Sequence, residues 1–384
     1  MKILFITDGL APFVLGGMQR HSTNLLKGLL QQGHEISVCM PCPENEKEES
    51  NLFVELGVPS SQRERVSFIV VKWPSLIWFP GHYLISNWIY SRRVSKRIRP
   101  GEWDVAFAKG FSGWYLGDRE KRDYPLAIKF HGYEMFQDQN TEYDSLKLML
   151  LRWAVKRVHK QAEAVFNYSA QLTEVCENHD LLDDLQVFEI PGGVDKSFIR
   201  KERISNQNKV VNYVFVGRFE RRKGLKELHE AICQYKGESQ FHFIGPIPKK
   251  NRLSLNSCVY YGEVKDVNEL IILLDNMDVM IVPSHSEGMP NTIMEGMARG
   301  LAIIGTKVGA VPLLVNEDNG WLIEPRETLQ LLNAIIEADL TVLDPKKSKS
   351  LQKIRSFDWE QISEKYSRSF EKMTKDFSVR SNVI

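Results

Sequence analysis

The 384-residue chain has no long hydrophobic run, no excess of either charge and too few cysteines for a disulfide framework. Each shortage excludes a class of protein. The first apolar run covers only residues 3–6 before Thr7 and Asp8 intervene. That is too short for the apolar core of a signal peptide and far too short for a membrane span. No later stretch reads as a transmembrane helix, so a membrane is expected to be met only from its surface. Lys and Arg number 50 against 49 Asp and Glu, a formal charge of +1. Bulk nucleic-acid binding needs a clear basic excess, so no nucleic-acid partner is expected. Among the 5 cysteines, Cys39 and Cys42 form a C-x-x-C. Pro41 and Pro43 interleave with them and an acidic stretch follows (Glu44, Glu46, Glu48, Glu49), so they read as two thiols near a strand end. A reducing, cytoplasmic setting is the expectation.

What the sequence does contain is a repeated strand–loop–helix grammar. Residues 3–6 read as a strand apolar on both faces, as in a parallel sheet. A loop with Pro12, Gly16 and Gly17 follows, then a helix over 18–30 carrying Leu25, Leu26, Leu29 and Leu30, then Gly33 and a strand over 35–40. Residues 65–71, 105–108, 126–130 and 164–168 continue as strands, with a helix over 146–162. After a turn at Pro191–Gly193 and a polar linker over 201–209, the grammar restarts with a strand over 210–216, Gly217, a basic loop and a helix over 225–234. Strands follow at 241–244, 259–261, 279–282 and 302–305. The reading is an α/β chain of two doubly wound parallel-sheet domains, 1–200 and 201–384, with a hinge between them and the final helix packing back on the first domain.

The most informative segment runs from Pro283 to Gly300. A buried strand ends at Val282, a polar loop carries Glu287, Gly288 and Met289, and Pro290 suits the first turn of a helix whose apolar face is Ile293, Met294 and Met297. A helix N-terminus at the carboxyl end of a strand is where doubly wound sheets bind ligands, and its free N–H groups favour an anion. Glu287 sits in the loop beside Asn291, and Glu295 lies about a turn inside the helix, so both face one ligand; carboxylates accept hydrogen bonds from sugar hydroxyls. A second element, Phe215-Val-Gly-Arg-Phe-Glu-Arg-Arg-Lys-Gly224, places Arg218 and Lys223 at the sheet's carboxyl edge. A guanidinium fork and an ammonium together suit a diphosphate; Arg221 and Arg222 read as solvated or auxiliary. Third, Gly16 and Gly17, followed by Gln19, Arg20 and His21, let a backbone approach a phosphate or sugar. The loop lacks the G-x-G-x-x-G of dinucleotide binders, which disfavours an oxidoreductase. Fourth, Phe130-His131-Gly132 ends a strand.

In these motifs the chain resembles the retaining glycosyltransferases of family 4, also called group 1, which have the GT-B fold: two Rossmann-like domains facing a central cleft. The resemblance lies in Glu287-Gly-Met-Pro-Asn-Thr-Ile-Met-Glu295, its continuation through 306, Gly309, the 320–325 stretch and Gly217-Arg…Lys-Gly224. It covers most of the chain and is strongest from about 210 to 325. It implies that Arg218 and Lys223 meet the donor's phosphates, that Glu287 looks toward the donor sugar and Glu295 toward the ribose, and that His131 stands near the reacting sugar. The Gly16–Gly17 loop would face the donor phosphate and the acceptor. Gly192-Gly-Val-Asp195 resembles the family's Asn-Gly-Val-Asp at the hinge, with Gly192 in place of Asn.

The implied reaction moves a hexose-type sugar from a UDP- or GDP-sugar to a glycan or lipid-linked acceptor, with retention at the anomeric carbon, in cell-surface polysaccharide or glycolipid synthesis. The sugar nucleotide is a co-substrate. No cofactor and no metal are expected, since fixed cations take the metal's place and no Asp-x-Asp is seen. The rivals are a sugar-nucleotide epimerase and a non-catalytic sugar-nucleotide-binding subunit. A separate feature is the segment 73–100, where Trp73, Trp78, Phe79, Tyr83, Trp88 and Tyr90 precede Arg92, Arg93, Lys96, Arg97 and Arg99 with no acid among them. Aromatics beside cations suit an anionic lipid surface, and peripheral contact at the inner face of the membrane is expected there; the competing reading is a core helix with a solvated basic end.

Overall fold

The structure, a computed structural model, describes residues 1–14, 16–41, 49–77, 79, 81–137, 145–200 and 210–381. Cys42, the acidic residues 44–48, Trp78 and the linker 201–209 lie outside the described residues. The chain divides into two compact units, Met1–Gly192 with Trp359–Ile384, and Gly193–Asp358. Residues 193–200, placed by the sequence reading in the first domain, belong to the second unit. The Arg200 N–H donates to Ala298 O, and its guanidinium lies 3.1 Å from Asp275. Arg299 donates to Phe198 O and, through a fork, to Asp275.

The first unit runs β1 (Lys2–Ile6), α1 (Gly17–Gln31), β2 (Glu35–Met40), α2 (Glu49–Glu55), β3 (Val66–Val70), α3 (His82–Ser95), β4 (Val105–Lys109), β5 (Leu126–Lys129), α4 (Ser145–His159), β6 (Ala164–Asn167), α5 (Ala170–Glu177) and β7 (Gln186–Glu189). Its strands form one parallel sheet in the order β3-β2-β1-β4-β5-β6-β7. The second unit runs β8 (Val211–Val216), α6 (Leu225–Gln234), β9 (Ser239–Ile244), β10 (Cys258–Gly262), α7 (Val267–Asp275), β11 (Val279–Val282), α8 (Asn291–Ala298), β12 (Ala302–Thr306), α9 (Val311–Leu314), β13 (Gly320–Ile323), α10 (Thr328–Glu337) and α11 (Leu340–Ile354). Its sheet, also parallel, has the order β10-β9-β8-β11-β12-β13. Helix α12 (Trp359–Ser381) then returns to the first unit.

Both sheets owe their parallel pairing to strands that are apolar on both faces and covered by helices. The central strands β4, β5, β6, β11 and β12 are buried throughout. In the first unit the core joins Phe5, Phe107 and Phe166 to Leu25, Leu26 and Leu29 of α1 and to Ile362, Tyr366 and Phe370 of α12. In the second, Phe215, Phe243 and Ile304 pack with Leu228 of α6 and Leu331 of α10. Among the described residues no helix is long and apolar enough to cross a membrane.

Candidate functional site

In each sheet the strand order reverses once, between β1 and β4 and between β8 and β11. Connections leave such a pair of strands in opposite directions, so the loops at their carboxyl ends part and leave a crevice. In the second unit those loops are 217–224 after β8 and 283–290 after β11, the two segments singled out in the sequence. They touch closely. Gly224 has φ +68° and would place a Cβ 1.8 Å from Pro283 O, so only glycine fits where the loops meet. The His285 N–H donates to Arg222 O at 2.7 Å, closing the contact.

A chain of charges runs across this junction. Arg218 Nε lies 3.1 Å from Glu220 Oε1, and Arg222 Nε donates to Glu220 Oε2 at 2.8 Å. Arg222 Nη1 stands 3.9 Å from Glu287 Oε2. The other oxygen of Glu287 accepts from Lys223 Nζ at 2.5 Å and from Ser284 Oγ at 2.7 Å. The structure therefore brings Arg218, Lys223 and Glu287 together, through Glu220 and Arg222. Arg218 remains 70 % exposed, whereas the Glu287 side chain is 8 % exposed. Glu295 is buried one turn into α8, in the same loop–helix unit. Gly288, Met289 and Pro290 are buried and Asn291 is half-buried. Pro290 is the residue before the helix rather than part of its first turn, because α8 starts at Asn291. The Glu287–Gly288 backbone is held from the far side: Ala310 N donates to Gly288 O at 2.7 Å, and a Cβ on Gly309 would lie 2.1 Å from Glu287 O.

Arg221 and Arg222 are not idle surface cations. Arg222 is a link in the chain just described. Arg221 makes a fork to Glu227 of α6, at 2.8 and 2.6 Å, and its Nη1 lies 3.3 Å from His285 Nε2. His285 Nε2 is also 3.3 Å from Glu227. Glu227 thus ties the basic turn Arg221–Lys223 to the loop that bears Glu287. Burial alone would raise its carboxyl, but hydrogen bonds from His285 and Arg221 hold it well below the usual carboxylate range. The sequence signal was present, an acid four residues beyond a run of three cations, but its fold-back across the helix start was not legible.

In the first unit, Gly16 caps α1 and Gly17 opens it, at the carboxyl edge beside β1. His131 follows β5; its Nδ1 lies 2.5 Å from Tyr168 Oη, while its Nε2 is buried. Behind it stand Lys109 and Lys129, paired across β4 and β5 and both buried. Lys109 Nζ lies 2.9 Å from His21 Nδ1, and Lys129 Nζ is 3.8 Å from the Tyr168 ring centre. The His21 ring stands edge-on to His131 at 4.9 Å. Burial first, then the two lysines, push the His131 ring well below its ordinary value, so it is neutral at neutral pH. Lys109, Lys129 and Tyr168 were missed in the sequence, although a lysine closing an otherwise apolar strand is visible in Val105–Lys109 and Leu126–Lys129.

Two further expectations concern residues outside these clusters. The Asp195 carboxylate accepts from Ser197 N at 2.9 Å, Val194 N donates to Phe357 O, and the boundary between the units falls between Gly192 and Gly193, an architectural use of the segment. Cys39 is a buried free thiol that burial pushes up to about 12, in keeping with an inert rather than a redox cysteine.

Residues 15–198 match the family described as Glycosyltransferase Family 4, and residues 211–338 the family described as Glycosyl transferases group 1. The Bacillus subtilis protein TuaC, named as a teichuronic acid biosynthesis glycosyltransferase, is 26 % identical over 266 residues, which cover 68 % of this chain and 67 % of TuaC. The Escherichia coli UDP-Gal:alpha-D-GlcNAc-diphosphoundecaprenol alpha-1,3-galactosyltransferase is 24 % identical over 266 residues, 63 % of this chain and 67 % of that protein. Sucrose-phosphate synthase from Thermosynechococcus elongatus has the same fold, with a TM-score of 0.77 at 18 % identity over 98 % of this chain and 99 % of that one. With its two halves matched in turn by the family's two models and its fold shared with that synthase, the chain belongs to the group 1, family 4 glycosyltransferases, enzymes of the GT-B fold.

Proposed function

We propose that this glycosyltransferase moves a hexose from a nucleotide-diphosphate sugar to a glycan or lipid-linked acceptor, with retention at the anomeric carbon, in cell-surface polysaccharide or glycolipid synthesis. The observation that carries the reading is the run of charges Arg218–Glu220–Arg222–Glu287–Lys223 at the point where the second sheet reverses its strand order. The activity for which the E. coli relative is named, transfer from UDP-galactose to a diphosphoundecaprenol-linked sugar, and the teichuronic acid role named for TuaC support the donor and acceptor classes.

The chemistry follows from the residues. The bond between the anomeric carbon and the phosphate oxygen breaks, and the electron pair leaves on the diphosphate. Arg218 and Lys223, with Arg222 beside them, offset that growing charge from fixed positions, a role that needs no metal or cofactor. Glu287, held by Lys223 and Ser284, is aimed at the donor sugar, and Glu295 at the ribose. Gly288, Met289, Pro290 and Asn291 present the start of α8 to the donor. The acceptor hydroxyl attacks on the face from which the phosphate departs, and its proton passes to the leaving phosphate oxygen. On the first unit, the Gly16–Gly17 loop faces the donor phosphate and the acceptor, and His131 stands near the reacting sugar. Tyr168 Oη, 2.5 Å from His131 Nδ1, fixes the orientation of the ring. The enzyme works at the cytoplasmic face, with residues 73–100 in peripheral contact with anionic lipid.

The test is release of nucleotide from UDP- and GDP-sugars with lipid-linked acceptors supplied. Glu287→Gln, and Arg218→Ala combined with Lys223→Ala, are expected to lower turnover by about 100-fold or more, with unchanged far-ultraviolet circular dichroism. Wild-type turnover in either variant overturns the site.

A further inference from the structure

Helix α3 buries Tyr90 and Val94 but turns much of its apolar surface outward. Its inward face carries Ser86, Asn87 and Ser91, all at most 4 % exposed, while Tyr83, Ile85 and Trp88 stand 47 %, 45 % and 40 % exposed. The usual pattern places such residues the other way round. Just before it, Ile77 is 90 % exposed. Not every aromatic of the segment faces out: Tyr90 is buried, donating to Thr7 O, and Trp73 packs against it.

Helix α4 repeats the theme. Ala154, Val155 and Val158 face the core, yet Met149, Leu150 and Trp153 are 58 %, 41 % and 52 % exposed. The two helices are joined by the turn at 110–115. The Tyr83 ring lies 5.9 Å from Phe111, Phe111 lies 5.7 Å from Trp114, and Trp114 lies 5.9 Å from Trp153. Arg92 stacks 5.0 Å from both Trp88 and Tyr115. The exposed apolar side chains of α3 and α4 are thus connected through the buried rings of Phe111 and Trp114, with Tyr115 exposed beside them.

The two helical segments carry charge of a single sign, although Asp8 and Glu134 lie within electrostatic reach of Tyr83 at its edge. Residues 72–101 and 145–162 contain no Asp or Glu, although the chain as a whole is balanced at 50 cations to 49 anions. Lys147, Arg152, Lys156 and Arg157 lie on α4 with Lys160 just past its end, as Arg92 and Arg93 lie on α3 with Lys96 and Arg97 just past its end. A second copy of this chain is a poor occupant, because a two-fold contact would set this strip of cations against itself. A surface that offers apolar depth behind a layer of negative charge meets both features.

We propose that α3, the turn 110–115 and α4 form one docking surface for an anionic bilayer. The exposed aromatic and aliphatic side chains enter the headgroup boundary and the flanking cations meet lipid phosphates. The inference rests on the reading of residues 73–100 as a membrane contact and adds to it the whole of α4, which no part of that reading required.

The experiment is flotation of the full chain with phosphatidylglycerol vesicles and with phosphatidylcholine vesicles, in parallel with Trp fluorescence. Binding to the anionic vesicles, sensitive to salt, with a blue shift of the emission is expected. The α4 variant Met149→Ser, Leu150→Ser, Trp153→Ser is expected to bind at least about tenfold more weakly. Arg93→Glu with Arg97→Glu should remove the preference for anionic lipid. Both variants should keep the wild-type thermal shift with nucleotide, so failure of the surface is told apart from failure of the transferase reading. No flotation of the wild type, or an α4 variant that floats as wild type does, overturns the proposal. So does a concentration-dependent dimer in sedimentation that the α4 substitutions abolish.

Discussion

Glu227 shows how one side chain sets a site it does not enter. It anchors Arg221 by a two-pronged fork and meets His285, and the flanking residues Arg222 and Lys223 are the ones that reach Glu287. Its folded carboxyl lies well below the value of about 4.3 expected of an unfolded Glu. A depressed carboxyl contributes stability that is fully present above the unfolded pKa and is lost as pH falls through the window toward the folded one. Glu227→Gln should therefore lower Tm by a constant amount from neutral pH down to about pH 5.5, and the gap should narrow as pH drops below about 4.3. Melting both proteins across that range checks it; a gap that stays constant on the acid side shows that the carboxylate is not held as described. The fork was not legible in the sequence, where Arg221 and Arg222 are two cations in a loop like any others. Glu287, Lys223 and Arg218 were legible because each stands at a fixed distance from the end of an apolar strand, and strand ends locate a crevice before any contact is known.

At the scale of elements the same physics sorts what was readable. β11 is an uninterrupted apolar run, β1, β4 and β8 are apolar but for Lys2, Lys109 and Asn212, and β2 and β11 begin and end where the sequence placed them. The strands passed over, β7 and β13, are the edges of their sheets and only half-buried, so they lack the signal of a doubly covered run. The destination of α12 was read as it is found, packed back on the first unit, but the partners it meets there, on strands about two hundred residues or more earlier in the chain, were not legible. There Tyr366 stacks on Phe166 at 5.1 Å with the rings 8° from parallel, and Phe370 stands 5.4 Å from Phe107. Phe370 and Tyr366 are fully buried. Phe370→Ala is expected to destabilise the first unit by about 3–5 kcal/mol, since a buried ring is removed from a core that can only partly collapse. Hydrogen exchange reads this by element: amides of β4 and β6 should lose protection while those of β8 and β12 keep theirs. Equal loss in both sheets would mean that α12 does not belong to the first core alone.

Across the whole molecule, roles divide with the cores. The proposed donor residues from Arg218 to Glu295 lie in the unit Gly193–Asp358, and His131, the Gly16–Gly17 loop and the proposed lipid surface lie in the other. Each unit has its own parallel sheet and its own buried cluster, so a ligand held by one should stabilise that one first. A nucleoside diphosphate at about a hundred times its dissociation constant stabilises the species that binds it by about 2.7 kcal/mol. With UDP or GDP, whichever binds, the added protection is expected in the amides that follow β8 and β11 and in the first turns of α6 and α8. His131→Ala should leave that protection and the accompanying thermal shift unchanged while lowering transfer, because the histidine is proposed to meet the reacting sugar and not the diphosphate. Arg218→Ala combined with Lys223→Ala should erase both. If His131→Ala removes the shift as completely as the paired substitution does, the diphosphate is not held by the second unit's cations, and the assignment of donor and acceptor to separate units falls with it.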